Sequence, residues 1–487
     1  MSRRQVVLIG YGMAGARLAE EIRRRDPTGD RVALTVFGEE PHPAYNRVLL
    51  SGVVAGSLSA EAVRTQDDDW ALRNLVDLRR GLRMTELDRR GRRVRLDDGR
   101  WRPYDHLVLA TGSRPWFPPL PGLLDFDGEP APDVVPFRTL DDGERISAAA
   151  RAGLRVAVLG GGLLGLEAAR GLAGRGTEVT VVHPSDSLME RQLDAGASRV
   201  LASSLRRLGV RLRMGVPAVA HRPGTGLLLA DGTTVAAELV VVAAGVRPAV
   251  EQAQAAGLAV DRGVLVDDRL RTADPDVSAL GDCARHPGAD AGLVQPAWEQ
   301  AAVLADLLTG ADPAARYRGT ATVTRLKARD VDLAALGDVH VPVDSADAEV
   351  VCVQDPARGR YAKLVVRDER VAGAIVLGIP DAAASIIRFF DRGTPVPPDR
   401  LALLLGRALP AASGTDPSTR SADALVCRCN SVRREGLVQA WEAGARSVSD
   451  LALRTRATTG CGGCRDEVCA LADWLADRQP AVAVPAV

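Results

Sequence analysis

Lysine is almost absent from this chain of 487 residues, in which Lys327 and Lys363 are the only lysines and arginine supplies the other basic side chains. Few residues are therefore available for Schiff-base chemistry. Aromatic residues make up only 3% of the sequence. No apolar run approaches the roughly 18 residues of a membrane-spanning helix. Basic and acidic side chains balance at 62 each, which gives no electrostatic footprint for nucleic acid or an anionic membrane. We therefore expect a soluble, cytoplasmic chain that binds neither.

Cysteine is absent from the first 282 residues and concentrated near the end of the chain. Cys283 and Cys352 stand alone, whereas the other five cysteines all follow residue 426. This distribution is unlike the scattered pairs of a secreted disulfide protein, so it favours a metal or redox centre. The clustered residues are Cys427, Cys429, Cys461, Cys464 and Cys469.

A glycine-rich turn lies close to the start of the chain, between a short apolar strand over Arg4–Ile9 and a helix that extends to about Arg25. A second strand follows at Val32–Phe37. In such a G-x-G-x-x-G turn the first glycine makes the tight turn, the second lets the backbone approach a pyrophosphate, and the third lets helix and strand pack closely. The turn is Gly10-Tyr11-Gly12-Met13-Ala14-Gly15.

An acceptor for ribose hydroxyls is expected where the second strand of such a unit ends. Glu39 occupies this position in the first unit, and Glu40 is its close rival. The sequence therefore predicts a nucleotide site in which Glu39 contacts the ribose.

The same pattern returns in the middle of the chain, where a strand over Arg155–Leu159 precedes a second glycine turn, a helix to about Arg175 and a strand over Glu178–Val182. The two βαβ units predict an α/β fold with two Rossmann-like nucleotide-binding domains. His183 occupies the ribose position of the second unit. It leaves open whether NADH or NADPH is bound. The turn is Gly160-Gly161-Gly162-Leu163-Leu164-Gly165.

Two further motifs accompany the turns, namely an apolar strand that ends in Ala110-Thr111-Gly112 and another that ends in Gly281-Asp282. In this order the motifs resemble the FAD-dependent pyridine-nucleotide oxidoreductases of glutathione-reductase-like fold. The resemblance implies that Asp282 and the adjoining Gly281 hold the ribityl chain of FAD and that Thr111 and Gly112 lie against the cofactor.

For the nicotinamide nucleotide, the resemblance implies contacts from the second glycine turn, with Glu167 as the catalytic residue near the nicotinamide and the flavin. Gly245, in the segment that returns the chain to the FAD domain, is a further implied cofactor-binding residue. The cofactor-binding residues implied in the two turns are Gly10, Gly12, Met13, Ala14, Gly15, Gly160, Gly162, Leu163, Leu164 and Gly165.

Disulfide reductases of this family carry a cysteine pair near the flavin, which this chain lacks, so disulfide reduction is excluded. In the corresponding region, Tyr45-Asn46-Arg47-Val48-Leu49-Leu50-Ser51 resembles a signature of rubredoxin and ferredoxin reductases and of the flavin half of nitrite reductase large subunits. The resemblance implies that Arg47 and Asn46 contact FAD. Gly52 stands where many ferredoxin reductases have lysine and favours the nitrite reductase branch. Trp298 either packs on the flavin or belongs to the core.

The clustered cysteines follow a C-x-C, 31-residue, C-x2-C spacing, and Val432–Arg456 between the pairs reads as two short amphipathic helices. This arrangement resembles the bacterioferritin-associated ferredoxin domains, which bind a 2Fe–2S cluster. Structural zinc uses the same four thiolates and remains the alternative. Cys469 and Cys283 are interpreted as packing residues. The implied ligands are Cys427, Cys429, Cys461 and Cys464.

These motifs predict a two-part FAD domain, an inserted NAD(P) domain, an α+β domain, a linker, a small helical 2Fe–2S domain and a tail. The FAD domain takes residues 1–118 and 247–318, and the NAD(P) domain takes residues 119–246 between them. The α+β domain follows at 319–407, the linker at 408–422, the 2Fe–2S domain at 423–475 and the tail at 476–487.

The predicted activity is transfer of a hydride from NAD(P)H to FAD, followed by single electrons passed through the cluster to a protein acceptor. The order of domains resembles the flavin and cluster half of assimilatory nitrite reductase large subunits and the electron-transfer subunits of assimilatory nitrate reductases. Because the sequence ends after one cluster module, we expect no nitrite reduction without a partner, which would be a nitrate or nitrite reductase catalytic subunit. The alternatives are a reductase for a ferredoxin, rubredoxin or oxygenase component, and a redox-sensing flavoprotein with a zinc module.

Overall fold

A computed structural model describes residues 3–288, 292–407, 421–422, 424–427, 430, 432–458 and 464–478. The chain divides into two compact units, Met1–Gly406 and Arg407–Val487, which are described separately. The predicted linker falls almost entirely on residues outside the described part. No helix of the described residues is long and apolar enough to cross a membrane.

Residues 3–150 begin the first unit with one complete βαβ unit and several short strands. Their elements are β1 (Arg4–Ile9), α1 (Met13–Arg25), β2 (Val32–Gly38), α2 (Leu50–Val54), α3 (Trp70–Arg73), β3 (Val76–Arg80), β4 (Met84–Asp88), β5 (Arg93–Leu96), β6 (Trp101–Pro103), β7 (His106–Leu109), β8 (Ser113–Pro115), β9 (Val134–Pro136) and α4 (Leu140–Ala149).

Residues 151–320 repeat the βαβ pattern and then return to the first sheet. Their elements are β10 (Arg155–Leu159), α5 (Leu163–Ala173), β11 (Glu178–His183), α6 (Ala195–Arg207), β12 (Arg211–Met214), β13 (Ala218–Arg222), β14 (Gly226–Leu229), β15 (Thr234–Ala236), β16 (Leu239–Val242), β17 (Val246–Pro248), α7 (Glu251–Ala255), β18 (Val264–Leu265), β19 (Val277–Ala279), β20 (Ala284–Arg285) and α8 (Val294–Thr309).

The first parallel sheet has the strand order β19-β7-β1-β2-β3 and places four strand ends side by side. Ile9 pairs with Phe37 on one side and with Leu109 on the other, and Leu109 pairs in turn with Ala279. The residues that follow these strands therefore meet at one edge. This is the edge at which parallel α/β sheets bind ligands.

The second parallel sheet has the order β12-β11-β10-β16-β9 and repeats this geometry. Leu159 pairs with Val182 and with Val242, so the second glycine turn, His183 and Ala243 lie at one edge. The antiparallel pair β8–β17 joins the two segments that cross between the sheets. Both predicted βαβ units are thus present.

Each parallel sheet is stabilised by apolar residues at helical spacing on the helix that follows its glycine turn. Leu18 and Ile22 of α1 are fully buried against Leu8 and Leu107 of the first sheet. Basic residues in the last turn of α1 complement the negative end of its helix dipole. The expected end near Arg25 is confirmed, whereas α5 ends at Ala173, two residues before its expected end.

The segment after residue 320 forms an antiparallel sheet of order β21-β22-β25-β24-β23, followed by two helices. Its apolar residues share one core with the second parallel sheet. The sequence does not predict β22, because its residues 333–336 are all apolar and buried and give no polar–apolar alternation. Its elements are β21 (Val323–Ala328), β22 (Val331–Gly337), β23 (Glu349–Asp355), β24 (Arg360–Arg367), β25 (Arg370–Leu377), α9 (Pro380–Arg392) and α10 (Arg400–Leu404).

A buried ion pair ties this antiparallel sheet to the second parallel domain. The Lys363 ammonium lies 2.9 Å from the Asp194 carboxylate, and the Lys363 side chain is only 3% exposed. Asp194 also accepts from Tyr361 and caps α6 through the Ala197 amide. Burial favours a higher pKa for Asp194, but the hydrogen bonds from Ala197, Lys363 and Tyr361 outweigh it and lower that pKa below its ordinary value.

We expect Lys363→Met to lower the free energy of unfolding by about 3 kcal/mol, because it leaves a carboxylate without its buried partner. The stability contributed by a lowered Asp pKa is present above the unfolded value of about 3.9 and is lost as the pH falls. The difference between wild type and variant should therefore shrink in acid. Urea denaturation at neutral and at acidic pH measures both effects.

The control is Arg211→Met, which removes an exposed partner of Glu178 and should cost less than about 1 kcal/mol. Equal losses in the two variants would show that the buried pair contributes nothing beyond an ordinary surface contact.

The described residues of the second unit are mostly helical and pack around a core of their own. Cys427, Leu437, Trp441, Leu451 and Val468 are buried together. The two helices predicted between the cysteine pairs are confirmed as α11 and α12, and Cys469 lies on the next helix as expected. Its elements are β26 (Leu425–Cys427), β27 (Val432–Arg433), α11 (Arg434–Glu442), α12 (Val448–Thr455) and α13 (Arg465–Asp477).

Candidate functional site

The first glycine turn forms a backbone cradle at the edge of the first parallel sheet. Gly10 has φ +109°, and a Cβ there would overlap the carbonyl oxygen of Ala110. A Cβ on Gly15 would likewise overlap the carbonyl oxygen of Gly10, so the turn is compact because both positions lack side chains. Gly12 begins α1 without a side-chain cap, and Met13 and Ala14 form the first turn of the helix. Uncapped N–H groups at a helix start are suited to a phosphate group.

Two glutamates follow β2, and the structure distinguishes them. Glu39 is exposed immediately after the strand. Glu40 binds Arg47 through one carboxylate oxygen and accepts from the Tyr45 hydroxyl through the other, at 2.6 Å. Of the two carboxylates, Glu39 is thus the exposed one, and its contact with a ribose stays a prediction.

Arg47 lies beside the first glycine turn, because a Cβ on Gly12 would be 3.9 Å from its guanidinium group. It also donates to the Arg138 carbonyl oxygen at 3.0 Å. Burial lowers the pKa of Arg47, but Tyr45 and Glu40 raise it above its ordinary value, so the guanidinium stays charged. A fixed cation near the turn fits a pyrophosphate.

Asn46 has a local task in this segment. Its side chain is buried and accepts from the Val48 amide at 3.0 Å, which caps the short turn that carries Arg47. Asn46 therefore stabilises the backbone turn on which Arg47 lies.

Asp282 lies at the same edge, at the centre of a polar cluster. Its Oδ2 accepts from the Ser113 hydroxyl and from the Arg138 guanidinium, both at 2.8 Å, and its Oδ1 accepts from the Gly292 amide at 3.1 Å. The sequence analysis missed both partners. Arg138 belongs to no motif, and Ser113 directly follows the Ala110-Thr111-Gly112 motif without being part of it. The cluster offers several hydrogen-bonding groups suited to a polyhydroxyl chain.

Thr111 and Gly112 line an open part of this edge. The Thr111 hydroxyl donates to the Ala249 carbonyl oxygen at 2.7 Å. Gly112 has φ +69°, and a Cβ built on it has no atom of the described residues within 4 Å. Gly281 has φ +73° and packs against Ala14 of α1. The edge therefore leaves room for a ligand above Gly112 and closes tightly beside Gly281.

Trp298 and Cys283 are both buried near this edge. Trp298 is 5% exposed, and its buried indole N–H has no acceptor among the described residues. Arg17 lies over its ring, 5.4 Å from the centroid. Cys283 is fully buried and donates to the Leu280 carbonyl oxygen at 3.3 Å, and burial raises its pKa. The thiol is thus a packing residue, whereas the unpaired indole N–H fits a ligand acceptor.

The second glycine turn repeats the cradle. Gly160 has φ +127°, and a Cβ there would overlap the Ala243 carbonyl oxygen. A Cβ on Gly165 would overlap the Gly160 carbonyl oxygen, as a Cβ on Gly15 would overlap that of Gly10. A Cβ on Gly162 would have no atom of the described part of the chain within 4 Å. Gly245 has φ +121° and an equally open surrounding. The start of α5, with Leu163 and Leu164 in its first turn, is uncapped and open to a ligand.

Glu167 and His183 are both buried beside this second turn. Glu167 lies one turn into α5 and is 2% exposed. The imidazole Nδ1 of His183 accepts from the Gly161 amide at 3.1 Å, and its Nε2 lies 3.1 Å from the Glu190 carboxylate. His183 therefore faces the turn, and sequence reasoning missed its partner Glu190 because seven residues separate the two.

In the second unit, the structure places Cys427 and Cys464 in one core. The Thr458 amide donates to the Cys464 sulfur at 3.2 Å. Arg456 and Thr458 both have positive φ, a tight local turn that aims this amide at the sulfur. Amide donation to sulfur is typical of iron–sulfur sites. Cys429 and Cys461, the other two predicted ligands, lie outside the described residues.

Comparisons with known families match three parts of the chain. The family described as pyridine nucleotide-disulphide oxidoreductase matches residues 4–302, the rubredoxin NAD+ reductase C-terminal domain matches 323–389, and the BFD-like [2Fe-2S] binding domain matches 425–473. The first of these families implies binding of FAD and NAD(P)H, and the last implies a 2Fe–2S cluster. The backbone cradles and the buried cysteines fit these groups.

Two curated relatives and one solved structure are similar over most of the chain. Nitrite reductase [NAD(P)H] of Bacillus subtilis (strain 168) is 36% identical over 96% of this chain and 57% of its own length. The assimilatory nitrate reductase electron transfer subunit of the same organism is 32% identical over 96% of this chain and 59% of its own length. The chain thus spans less than three fifths of either relative.

The solved structure is the covalent putidaredoxin reductase–putidaredoxin complex, with 28% identity and a TM-score of 0.74 over 85% of this chain and 100% of that chain. Because the matching family covers more than half of the sequence, the chain belongs to the pyridine nucleotide-disulphide oxidoreductase family and carries a BFD-like [2Fe-2S] binding domain at its C-terminal end.

Proposed function

We propose that this protein takes electrons from NAD(P)H and passes them through FAD and a 2Fe–2S cluster to the catalytic subunit of an assimilatory nitrate or nitrite reductase in the cytoplasm. The observation that carries the proposal is the presence on one chain of two open glycine cradles and a buried cysteine pair with an amide directed at one sulfur. FAD supplies the step between a two-electron donor and a one-electron centre.

The residues of the first cradle bind and orient the flavin nucleotide in this proposal. The start of α1 and Arg47 hold its pyrophosphate, Glu39 its adenosine ribose and Asp282 its ribityl hydroxyls. Arg138 and Ser113 keep the Asp282 carboxylate in place through their 2.8 Å hydrogen bonds. The second cradle binds the nicotinamide nucleotide, with Glu167 as the catalytic residue near the reacting rings.

The lack of a reactive thiol at the first cradle determines where electrons leave. Residues 1–282 contain no cysteine, and Cys283 is fully buried with a raised pKa. A thiol in this state is a poor nucleophile. Disulfide exchange next to the flavin is thus unavailable, and Cys427, Cys429, Cys461 and Cys464 supply the exit as cluster ligands.

The relatives support the choice of acceptor. One is named as a nitrite reductase and the other as the electron transfer subunit of an assimilatory nitrate reductase, and each matches 96% of this chain. A second candidate is a reductase for a separate ferredoxin, which the similarity to putidaredoxin reductase over that whole chain favours.

An anaerobic titration with NADH, and separately with NADPH, tests the proposed function. Visible absorption follows the flavin, low-temperature electron paramagnetic resonance follows the cluster, and metal analysis counts iron. We expect the flavin to bleach and a 2Fe–2S signal to develop. Bleaching without a cluster signal, together with bound zinc, would contradict the proposal.

The acceptor is then tested by steady-state turnover with three additions. Nitrate with a nitrate reductase catalytic subunit, or nitrite with a nitrite reductase catalytic subunit, should be reduced. Faster reduction of a small ferredoxin than of either partner would favour the second candidate.

A further inference from the structure

Glu190 is held in a defined position beside the second glycine turn. The amide of Met189 donates to the Gly161 carbonyl oxygen at 3.0 Å, and the amide of Leu188 donates to the Ser198 hydroxyl at 2.7 Å. Met189 also adopts φ +50°, a left-handed conformation that turns the chain sharply at this point. The backbone that leads into Glu190 is therefore anchored to the turn and to α6.

His183 fixes the side chain of Glu190. The Gly161 amide donates to Nδ1 of His183, and a ring nitrogen can accept a hydrogen bond only when it carries no proton. The proton of the neutral ring therefore lies on Nε2. This proton is donated to Glu190 Oε2 at 3.1 Å. Both ring nitrogens are thus engaged, and in this arrangement the imidazole offers neither an acceptor to a ribose hydroxyl nor a charge to a phosphate.

Glu190 itself remains accessible. Its side chain is 48% exposed, whereas that of His183 is 9% exposed. A carboxylate accepts hydrogen bonds and donates none, so it binds a ribose 2′-hydroxyl and repels a 2′-phosphate. In dinucleotide-binding domains an acid at the end of the second strand makes this contact. Here that position is His183, and the acid is supplied seven residues later.

We propose that Glu190, positioned by His183, accepts the 2′-hydroxyl of the adenosine ribose and makes NADH the electron donor rather than NADPH. The inference rests on the proposed function, because it assigns a donor to the same nucleotide site. Arg191 is the competing residue, since its exposed side chain follows Glu190 directly and has the charge that a 2′-phosphate needs.

Calorimetric binding to the FAD-loaded full chain tests the assignment without turnover. The probes are ADP-ribose and 2′-phospho-ADP-ribose, which differ only at the 2′ position. We expect wild type to bind ADP-ribose about 100-fold more tightly. Glu190→Gln keeps the shape and the acceptor for His183 but removes the charge, so its Kd should rise about 10-fold for ADP-ribose and fall about 10-fold for the phosphorylated probe.

The matched control is Glu238→Gln, the same change in the same domain. Glu238 accepts from the amide of Arg155, at the end of β10 that lies away from the glycine turn. Removing the charge of Glu238 should change the Kd of neither probe. Tighter binding of 2′-phospho-ADP-ribose by wild type, removed in Arg191→Gln, would overturn the assignment. The assignment would also be overturned if Glu190→Gln changed the Kd of both probes by the same factor and in the same direction. If wild type bound neither probe, the proposed function would fail as well.

Discussion

Cys427→Ser is expected to retain FAD and to lose the 2Fe–2S cluster. Cys427 is fully buried in the core of the second unit, where serine fits the space but is a poor iron ligand. Electron transfer to a protein acceptor should fall by about 100-fold or more, since even outer-shell changes at metal sites cost about 10–100-fold. Oxidation of the nicotinamide nucleotide by a small quinone should continue. Iron analysis, resonance spectra and the two turnover assays measure these effects.

The matched control for this variant is Cys469→Ser, which changes a partly buried cysteine on α13. It should keep the cluster and the activity. Loss of the cluster in this control but not in Cys427→Ser would show that the ligand set is wrong. A wild-type protein that binds zinc in place of iron would contradict the prediction as well.

The glycine turns made the two parallel domains predictable from the sequence. Strand, glycine turn and helix are encoded locally, because Gly10 and Gly160 adopt conformations that side chains disfavour and the following helix carries its apolar residues on one face. The motifs Ala110-Thr111-Gly112 and Gly281-Asp282 likewise mark the ends of two neighbouring strands. Asp282, predicted from its motif, lies at the same edge of the first sheet as the first glycine turn.

Residues that act through tertiary contacts were not predictable in this way. Arg138 follows a strand of the second sheet yet contacts Asp282, 144 positions away. Thr458 reaches Cys464 only because two non-glycine residues turn the backbone with positive φ. Neither residue stands in a motif, so single-sequence reasoning has no signal for them.

His183 shows that the position of a residue at a strand end does not determine which neighbours its side chain contacts. The sequence placed it at the end of the second strand, where contact with the ribose or a phosphate was expected. Its ring instead faces the glycine turn, because Gly161 lacks a side chain and leaves space that the imidazole fills. Whether a side chain at a strand end points to the ligand or to the turn depends on packing.

Gly10→Ala is expected to abolish stable FAD binding. A Cβ at φ +109° costs about 1–2 kcal/mol in backbone strain. The added methyl would also overlap the Ala110 carbonyl oxygen, and relief of such overpacking costs about 1–3 kcal/mol more. The relief must come from backbone, since Ala110 belongs to the neighbouring strand end. The turn would therefore open away from the start of α1. Flavin content after purification and the Kd for added FAD measure the outcome, with a rise in Kd of about 100-fold expected.

Gly99→Ala is the control that separates the steric overlap with a neighbouring backbone from the strain of a positive φ. Gly99 has φ +77° in the same domain, but a Cβ built there has no atom of the residues that the structure describes within 4 Å. The alanine variant at Gly99 has the same backbone strain as Gly10→Ala but no steric overlap. Its free energy of unfolding should therefore fall by about 1 kcal/mol, and the protein should keep its flavin. Far-ultraviolet circular dichroism confirms that both variants are folded. If Gly99→Ala released as much FAD as Gly10→Ala, general destabilisation would explain the loss. If Gly10→Ala bound FAD like wild type, the turn would not be the cofactor cradle. Loss of flavin confined to Gly10→Ala would tie FAD to the backbone of this one turn.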